Sequence, residues 1–221
     1  MYKSRCSTLG TICPPKGFAK TGQTLVQKQV KDIVYGRHFD VRSKYLSKGN
    51  ICEIDAIMLL SEIKGQKLEK NEKRFENDLI AGMPDLIITD EVLDIKNSFT
   101  HETFPLFDSL PYDNELQLKG YMWLLGLTKG SVEYFLLDMP DELITKEAYY
   151  VMRDRGMDEL ETDLFLELKE KYTYSNLPLN LRHKSFPVEL TDKDIDWIVK
   201  NVTLANDYGN SLLKEVGYVK S

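Results

Sequence analysis

Apolar residues in the stretch TLVQKQVKDIV fall at positions 25, 26, 30, 33 and 34, the spacing of one helix face, so a short amphipathic helix is predicted over 24–34. A second is predicted from Ser47 or Asn50 to 63, with Ile51, Ile54, Ile57, Met58 and Leu59 as its stripe and Gly65 as its stop. The pattern then changes. Residues 74–80, 84–89 and 92–96 are short and rich in β-branched positions, and the last two runs flank a turn at Asp90-Glu91, so they read as strands of a hairpin or meander. Helical spacing returns over 114–127, and SVEYFLL at 131–137 reads as a strand. Residues 142–172 read as charged helix and 176–186 as loop. A last helix starts behind Thr191, the predicted N-cap with Asp194 at N3, and runs to about 208 or beyond. Residues 1–20, rich in Pro, Gly and Lys, read as a loose N-terminal arm. The order of helices and strands predicts an α/β (α+β) core with a central mixed sheet flanked by helices, rather than a doubly wound repeat.

Length fits that reading: 221 residues form one domain, 1–221, with 142–221 as a helical extension packed on the core. No apolar run is long enough for a membrane span, and the first residues lack the apolar core of a secretory signal, so a cytoplasmic location is expected. Three cysteines without a CxxC pair exclude a four-thiolate cluster and predict reduced thiols, with a Cys6–Cys13 bridge as the minor option. Net charge is −6, yet residues 1–50 hold ten Lys/Arg against Asp32 and Asp40, a net +8 that leaves −14 for the rest. Such asymmetry fits a nucleic-acid contact, and equally a solvated basic surface.

The stretch with chemistry in it is GMPDLIITDEVLDIK, residues 82–96. Asp85 opens one predicted strand, and Asp94 and Lys96 lie near the end of the next. Strand residues two apart share a face, so Asp94 and Lys96 project together, and the turn folds Asp85 back beside them. Two carboxylates suit a hard cation that keeps waters or substrate phosphates in its shell. A lysine beside it could orient or deprotonate water, its pKa lowered by a low-dielectric, cation-bearing surrounding. On the residues alone, the alternative is a surface hairpin with an exposed Asp94/Lys96 pair. The three histidines have no zinc spacing, and no phosphate-loop, dinucleotide or GxSxG pattern occurs. The acidic run 154–170 reads as a solvated helix face.

Pro84-Asp85 followed by Asp94-Ile95-Lys96 resembles the signature of the PD-(D/E)xK nuclease superfamily. Upstream, Gly49 to Glu53 resembles its "G…E" segment. Downstream, Gln117-Leu-Lys-Gly-Tyr121 resembles the "QxxGY" helix of the phage lambda exonuclease, YqaJ and RecB-like branch. The resemblance covers about residues 47–137. It implies a restriction-endonuclease-like core and Mg²⁺-dependent hydrolysis of DNA, with Mn²⁺ able to substitute. It implies Asp85, Asp94 and the backbone carbonyl of Ile95 as metal ligands, and Lys96 to position or activate water. Glu53 would be an outer or second-metal ligand, and Gln117 would orient Lys96 or a phosphate. On the residues alone Glu53 also reads as a solvated helix residue, Gln117 as an ordinary polar one and Tyr121 as a supporting core residue. Asp94 stands where this branch often carries Glu, and the four-cysteine cluster of some relatives is absent.

The same resemblance points to DNA contacts from Arg37, Arg42, Lys44, Lys48 and Tyr121. It implies an exonuclease of phage-type recombination or repair, with a single-strand annealing protein as partner and a possible homo-oligomer. The alternatives are a structure-specific or restriction-like endonuclease and an inactive DNA- or protein-binding module.

Overall fold

In the computed structural model, residues 1–37, 44–157 and 162–218 are described. The main sheet holds four strands in the order β4 (Leu86–Ile88), β5 (Glu91–Asn97), β6 (Lys129–Phe135) and β7 (His183–Glu189). β4 and β5 form an antiparallel hairpin, β5 and β6 run parallel, and β7 is antiparallel to β6. A small second sheet joins β1 (Ser4–Arg5), β3 (Ile80–Gly82) and β2 (Phe75–Glu76). The mixed sheet flanked by helices is the expected fold class.

Two parallel neighbours need a crossover, since a tight turn cannot join them. Helix α5 (Tyr112–Leu125) makes it, and Gly126 ends it in the left-handed conformation, its N–H donated to the carbonyls of Met122 and Trp123. α5 packs on one face of the sheet, with α1 (Leu9–Ile12), α2 (Lys20–Tyr35) and α8 (Asp192–Glu215) around it. α4 (Glu53–Lys64) packs on the other face, preceded by α3 (Lys44–Ile51). β5 is therefore buried on both sides. Val92 joins the core of Leu116, Leu118 and Met122, whereas Leu93 and Ile95 join that of Ala56, Ile57 and Leu60. Helices α6 (Asp141–Asp154) and α7 (Thr162–Lys171) close a third cluster over Phe99 and Met139.

Several elements depart from the sequence reading. The predicted helix 47–63 is two helices that break at Cys52, and its stripe is divided: Ile57 is buried, whereas Ile51, Ile54 and Met58 are exposed. The last helix is as expected: it begins at the predicted Thr191–Asp194 capping box and runs past 208 to Glu215. The predicted loop 176–186 contains the start of β7, so the C-terminal stretch supplies a strand of the main sheet as well as helices. Pro187 and the polar residues of β7 hide its signal, and an edge strand tolerates both.

Residues 1–20 are not a loose arm. Tyr2, Cys6, Leu9, Ile12 and Cys13 lie in the main core, and Ser4 donates its N–H and hydroxyl to Asn206 Oδ1 at 3.0 and 2.7 Å. Leu9 is wedged against Gly120, where a Cβ would stand 2.5 Å from Leu9 Cδ1. The three cysteines are buried and free, so the Cys6–Cys13 bridge does not form. Ile12→Ala is therefore expected to cost about 3 kcal/mol and to lower Tm by roughly 6–12 °C in thermal unfolding. A loose arm would leave Tm unchanged.

Candidate active site

Asp85 stands just before β4, where the hairpin opens. β4 pairs only as far as Leu86 opposite Leu93, so Ile95 has no strand partner on that flank. Its N–H is donated instead to Asp85 Oδ2 at 2.7 Å. A strand residue points its N–H and C=O to the same neighbour, so the Ile95 carbonyl faces the Asp85 flank as well. The backbone of Asp85 is fixed by Asn71. Its main-chain N–H is donated to Asp85 O at 2.7 Å, and its side-chain amide to Pro84 O at 2.8 Å. Asn71 lies fourteen residues before Asp85 in no recognisable motif, and nothing in the sequence marks it.

Asp94 and Lys96 project from the α5 face of β5. Asp94 is completely buried. Lys96 Nζ lies 2.7 Å from Asp94 Oδ2, an ion pair made with a fully buried carboxylate. Gln117, on α5, ties the group together. Its Nε2 donates to Asp94 Oδ1 at 3.2 Å and to the Tyr121 hydroxyl at 2.9 Å, and its Oε1 accepts from Lys96 Nζ at 3.3 Å. Tyr121 lies one turn further along the helix and is buried. A Cβ on Gly82 would lie 2.6 Å from its ring, which is why the chain passes there as glycine.

The charges do not balance. Burial, reinforced by the negative charge of Asp94, pushes the Asp85 carboxyl up to about 7, against the pull of the Ile95 N–H and Lys96. Burial also raises Asp94, with Lys96 opposing it. For Lys96 burial disfavours the charge, but Asp94 and Asp85 outweigh it and its pKa is raised. This corrects the expectation of a lowered lysine: Lys96 is held as a cation. Two carboxylates thus face one ammonium.

Among the described residues no three His, Cys, Asp or Glu side chains cluster as a metal site. The oxygen donors that do converge are Asp85, Asp94 and the Ile95 carbonyl. As an all-oxygen set with two carboxylates against one ammonium, they fit a hard divalent cation that keeps waters in its shell. Asp85, Ile95 and Lys96 line an open cleft of about 690 Å³ with Asn71, Lys70 and Glu53, and Asp94 is buried beneath it. Glu53 opens α4 on this cleft but is paired with Lys70 at 2.6 Å. Lys70 is a second cation at the cleft that the sequence reading missed.

The expected DNA contacts separate. Lys48 is completely buried, donates to the carbonyls of Phe99 and Leu137 at 3.0 and 2.6 Å and sits over the Tyr174 ring. Burial lowers it to about 8. It pins α3 to the sheet ends and cannot meet DNA, which corrects that expectation. Tyr121, buried against Gly82 and bonded to Gln117, is corrected likewise: it props the site from within. Arg37 is exposed beside Lys28 and Lys31, around a groove separate from the cleft. Arg42 and the side chain of Lys44 lie outside the described residues.

With this geometry in place, comparison defines the fold. It is the restriction-endonuclease-like fold of solved exonuclease structures. A phage-related exonuclease from Haemophilus somnus 129PT superposes with a TM-score of 0.80 at 24% identity, over 97% of this chain and 96% of that one. The alkaline exonuclease LHK-Exo from Laribacter hongkongensis superposes with a TM-score of 0.67 at 13% identity, over 97% and 91% of the two chains. The same enzyme has been solved in complex with dAMP at the same similarity. No protein-family model matches the sequence, and no curated protein does.

The raised Asp85 pKa fixes the sign of a stability effect. Asp85 binds its proton more tightly folded than unfolded, where its carboxyl titrates near 3.8. Its contribution is fully present below that value and is lost as pH rises through about 7. In EDTA, Asp85→Asn is expected to flatten the fall in stability between pH 5 and 8. At pH 8 it should unfold in urea with about 2 kcal/mol more stability than the wild type. An equal or lower stability at pH 8 would contradict the geometry described.

Proposed function

We propose that this chain is a Mg²⁺-dependent DNA exonuclease that hydrolyses phosphodiester bonds. The observation that supports it best is the convergence of Asp85, Asp94 and cationic Lys96 at one cleft, bridged by Gln117. Exonucleases that share the fold along nearly the whole chain favour the exonucleolytic mode.

Asp85, Asp94 and the Ile95 carbonyl would hold Mg²⁺, or Mn²⁺ in its place, which supplies a Lewis acid at the phosphate and a water of lowered pKa. The chain's own residues do the rest. Lys96, kept charged by its two carboxylates, orients the attacking water and offsets charge that develops on the scissile phosphate. Gln117 fixes the rotamers of Asp94 and Lys96 together, and Tyr121 fixes Gln117. Asn71 sets the backbone of Asp85, so its carboxylate stays on the Ile95 amide. Glu53, paired with Lys70 at the cleft, would be an outer acid toward a bound cation. Lys70, which lines the same cleft, would offer a positive charge to the phosphate backbone. Arg37, with Arg42 and Lys44 in the same basic stretch, is the proposed grip on DNA away from the cleft.

The test is hydrolysis of end-labelled linear duplex DNA with Mg²⁺, beside a covalently closed circle. The wild type is expected to shorten the linear form alone. Lys96→Ala is expected to lose at least about 100-fold in kcat, with the fold retained by circular dichroism. Cutting of the circle would replace the exonuclease with an endonuclease, and no hydrolysis with either metal would leave a binding module. Calorimetric titration carries a second expectation: Mg²⁺ binds the wild type and is lost in Asp94→Asn. Equal binding by both proteins would remove Asp94 from the ligand set.

A further inference from the structure

The segment between β5 and α5 carries Phe107, whose side chain is 94% exposed beside the partly exposed Leu106. So exposed an aromatic ring leaves its apolar faces in water, which a mobile loop would readily avoid. This loop is not free to do so. Lys184 donates to three of its carbonyls, those of Pro105 at 2.8 Å, Leu106 at 3.1 Å and Asp108 at 2.9 Å, which uses every proton of the ammonium. Those three acceptors bracket Phe107, so the backbone is fixed with the ring pointing outward.

The position is set by the sheet. Lys184 of β7 lies opposite Tyr134 of β6, and Tyr134 lies opposite Lys96 of β5. All three project to the α5 face, where the Asn114 side-chain amide also reaches the Tyr134 hydroxyl. Strands are spaced by about 4.8 Å, so the anchor of the loop lies roughly 10 Å along one row from Lys96. The loop that carries the ring is thus anchored in the row of Lys96, and its anchor is no free cation for phosphate, because Lys184 is spent on carbonyls and Asp108 is an acid. A flat apolar face that needs no charge, next to a phosphodiester cleft, matches a nucleobase.

We propose that Phe107 is a stacking platform for an unpaired nucleobase of the bound strand. This inference rests on the nucleic-acid reading of the cleft. Stacking is tolerant of sequence, because every base has a π-face. With the loop backbone fixed by Lys184, only the side-chain rotamer of Phe107 has to be ordered when a base covers it.

The experiment uses the full chain with a thymidine decamer in EDTA, so that binding is read without hydrolysis. In Phe107→Trp, the emission of the new indole is expected to be quenched on titration, beyond the change from Trp123 and Trp197 in the wild type. Phe107→Ala is expected to bind the decamer roughly 10-fold more weakly. Phe107→Leu, which keeps apolar bulk but has no π-face, should be nearly as weak as the alanine variant. Absence of quenching, with unchanged affinity in Phe107→Ala, overturns the proposal. So does an alanine variant whose light-scattering mass falls while its DNA affinity stays, since the ring would then serve an interface between protein chains. Quenching in a protein that cuts no DNA would keep the platform and refute the nuclease. Cutting without quenching would do the reverse.

Discussion

The structure around the cleft depends on the burial of one charge. Asp94 has no exposure to solvent, and a carboxylate there is tolerated only because Lys96 and Gln117 meet it. Both partners are themselves held. Lys96 is two residues along the same strand, and Gln117 is fixed by Tyr121, whose ring fills the space that Gly82 leaves open. Removing any one of these leaves a buried group without its partner, which costs more than the lost contact itself. The pair also explains why Asp85 is strained electrostatically. One ammonium cannot neutralise two carboxylates, so Asp85 is pushed up to about 7. The site therefore carries surplus negative charge that its one ammonium does not cancel.

That arrangement needs β5 to be covered on both faces. The strand answers in its sequence: Val92 and Asp94 turn to α5, and Leu93 and Ile95 turn to α4. The parallel step from β5 to β6 then requires a crossover helix, and the crossover delivers Gln117 and Tyr121 over Asp94. The N-terminal residues complete this layer by packing Leu9 on Gly120 and Cys6 near Tyr121. The basic charge of the first fifty residues therefore says less about DNA than it promised. Part of it supports the fold, and Lys48 is wholly internal, its ammonium satisfied by two carbonyls and an aromatic ring.

Lysines in this protein do different work according to what surrounds them. Lys48 closes the joint between α3 and the ends of β5 and β6. Lys184 fixes a loop by capping three carbonyls. Lys70 balances Glu53 at the edge of the cleft. Lys96 faces two acids at the cleft itself. A count of positive charges treats these as equivalent, but each has a different degree of burial and a different set of acceptors.

The sequence by itself determined what depends on short spacings. Asp94 and Lys96 share a face because strand residues alternate, and Gln117 meets Tyr121 because helix residues four apart are neighbours. The Asp90-Glu91 turn brings Asp85 back to the same edge, and Thr191 with Asp194 announces the start of α8. The tertiary structure alone decided what depends on residues far apart in the chain. Asn71 binds the backbone of Pro84 and Asp85, Lys70 takes Glu53, and Lys184 reaches back nearly eighty residues to hold the loop of Phe107. It also decided that residues 1–20 belong to the core and that β7 is a strand. In both, apolar positions are interrupted by polar and Pro residues, and only a partner surface supplies the burial that fixes them. Local geometry is written in residue order, whereas a hydrogen-bond partner chosen across the fold is set by packing, which no short window of sequence contains.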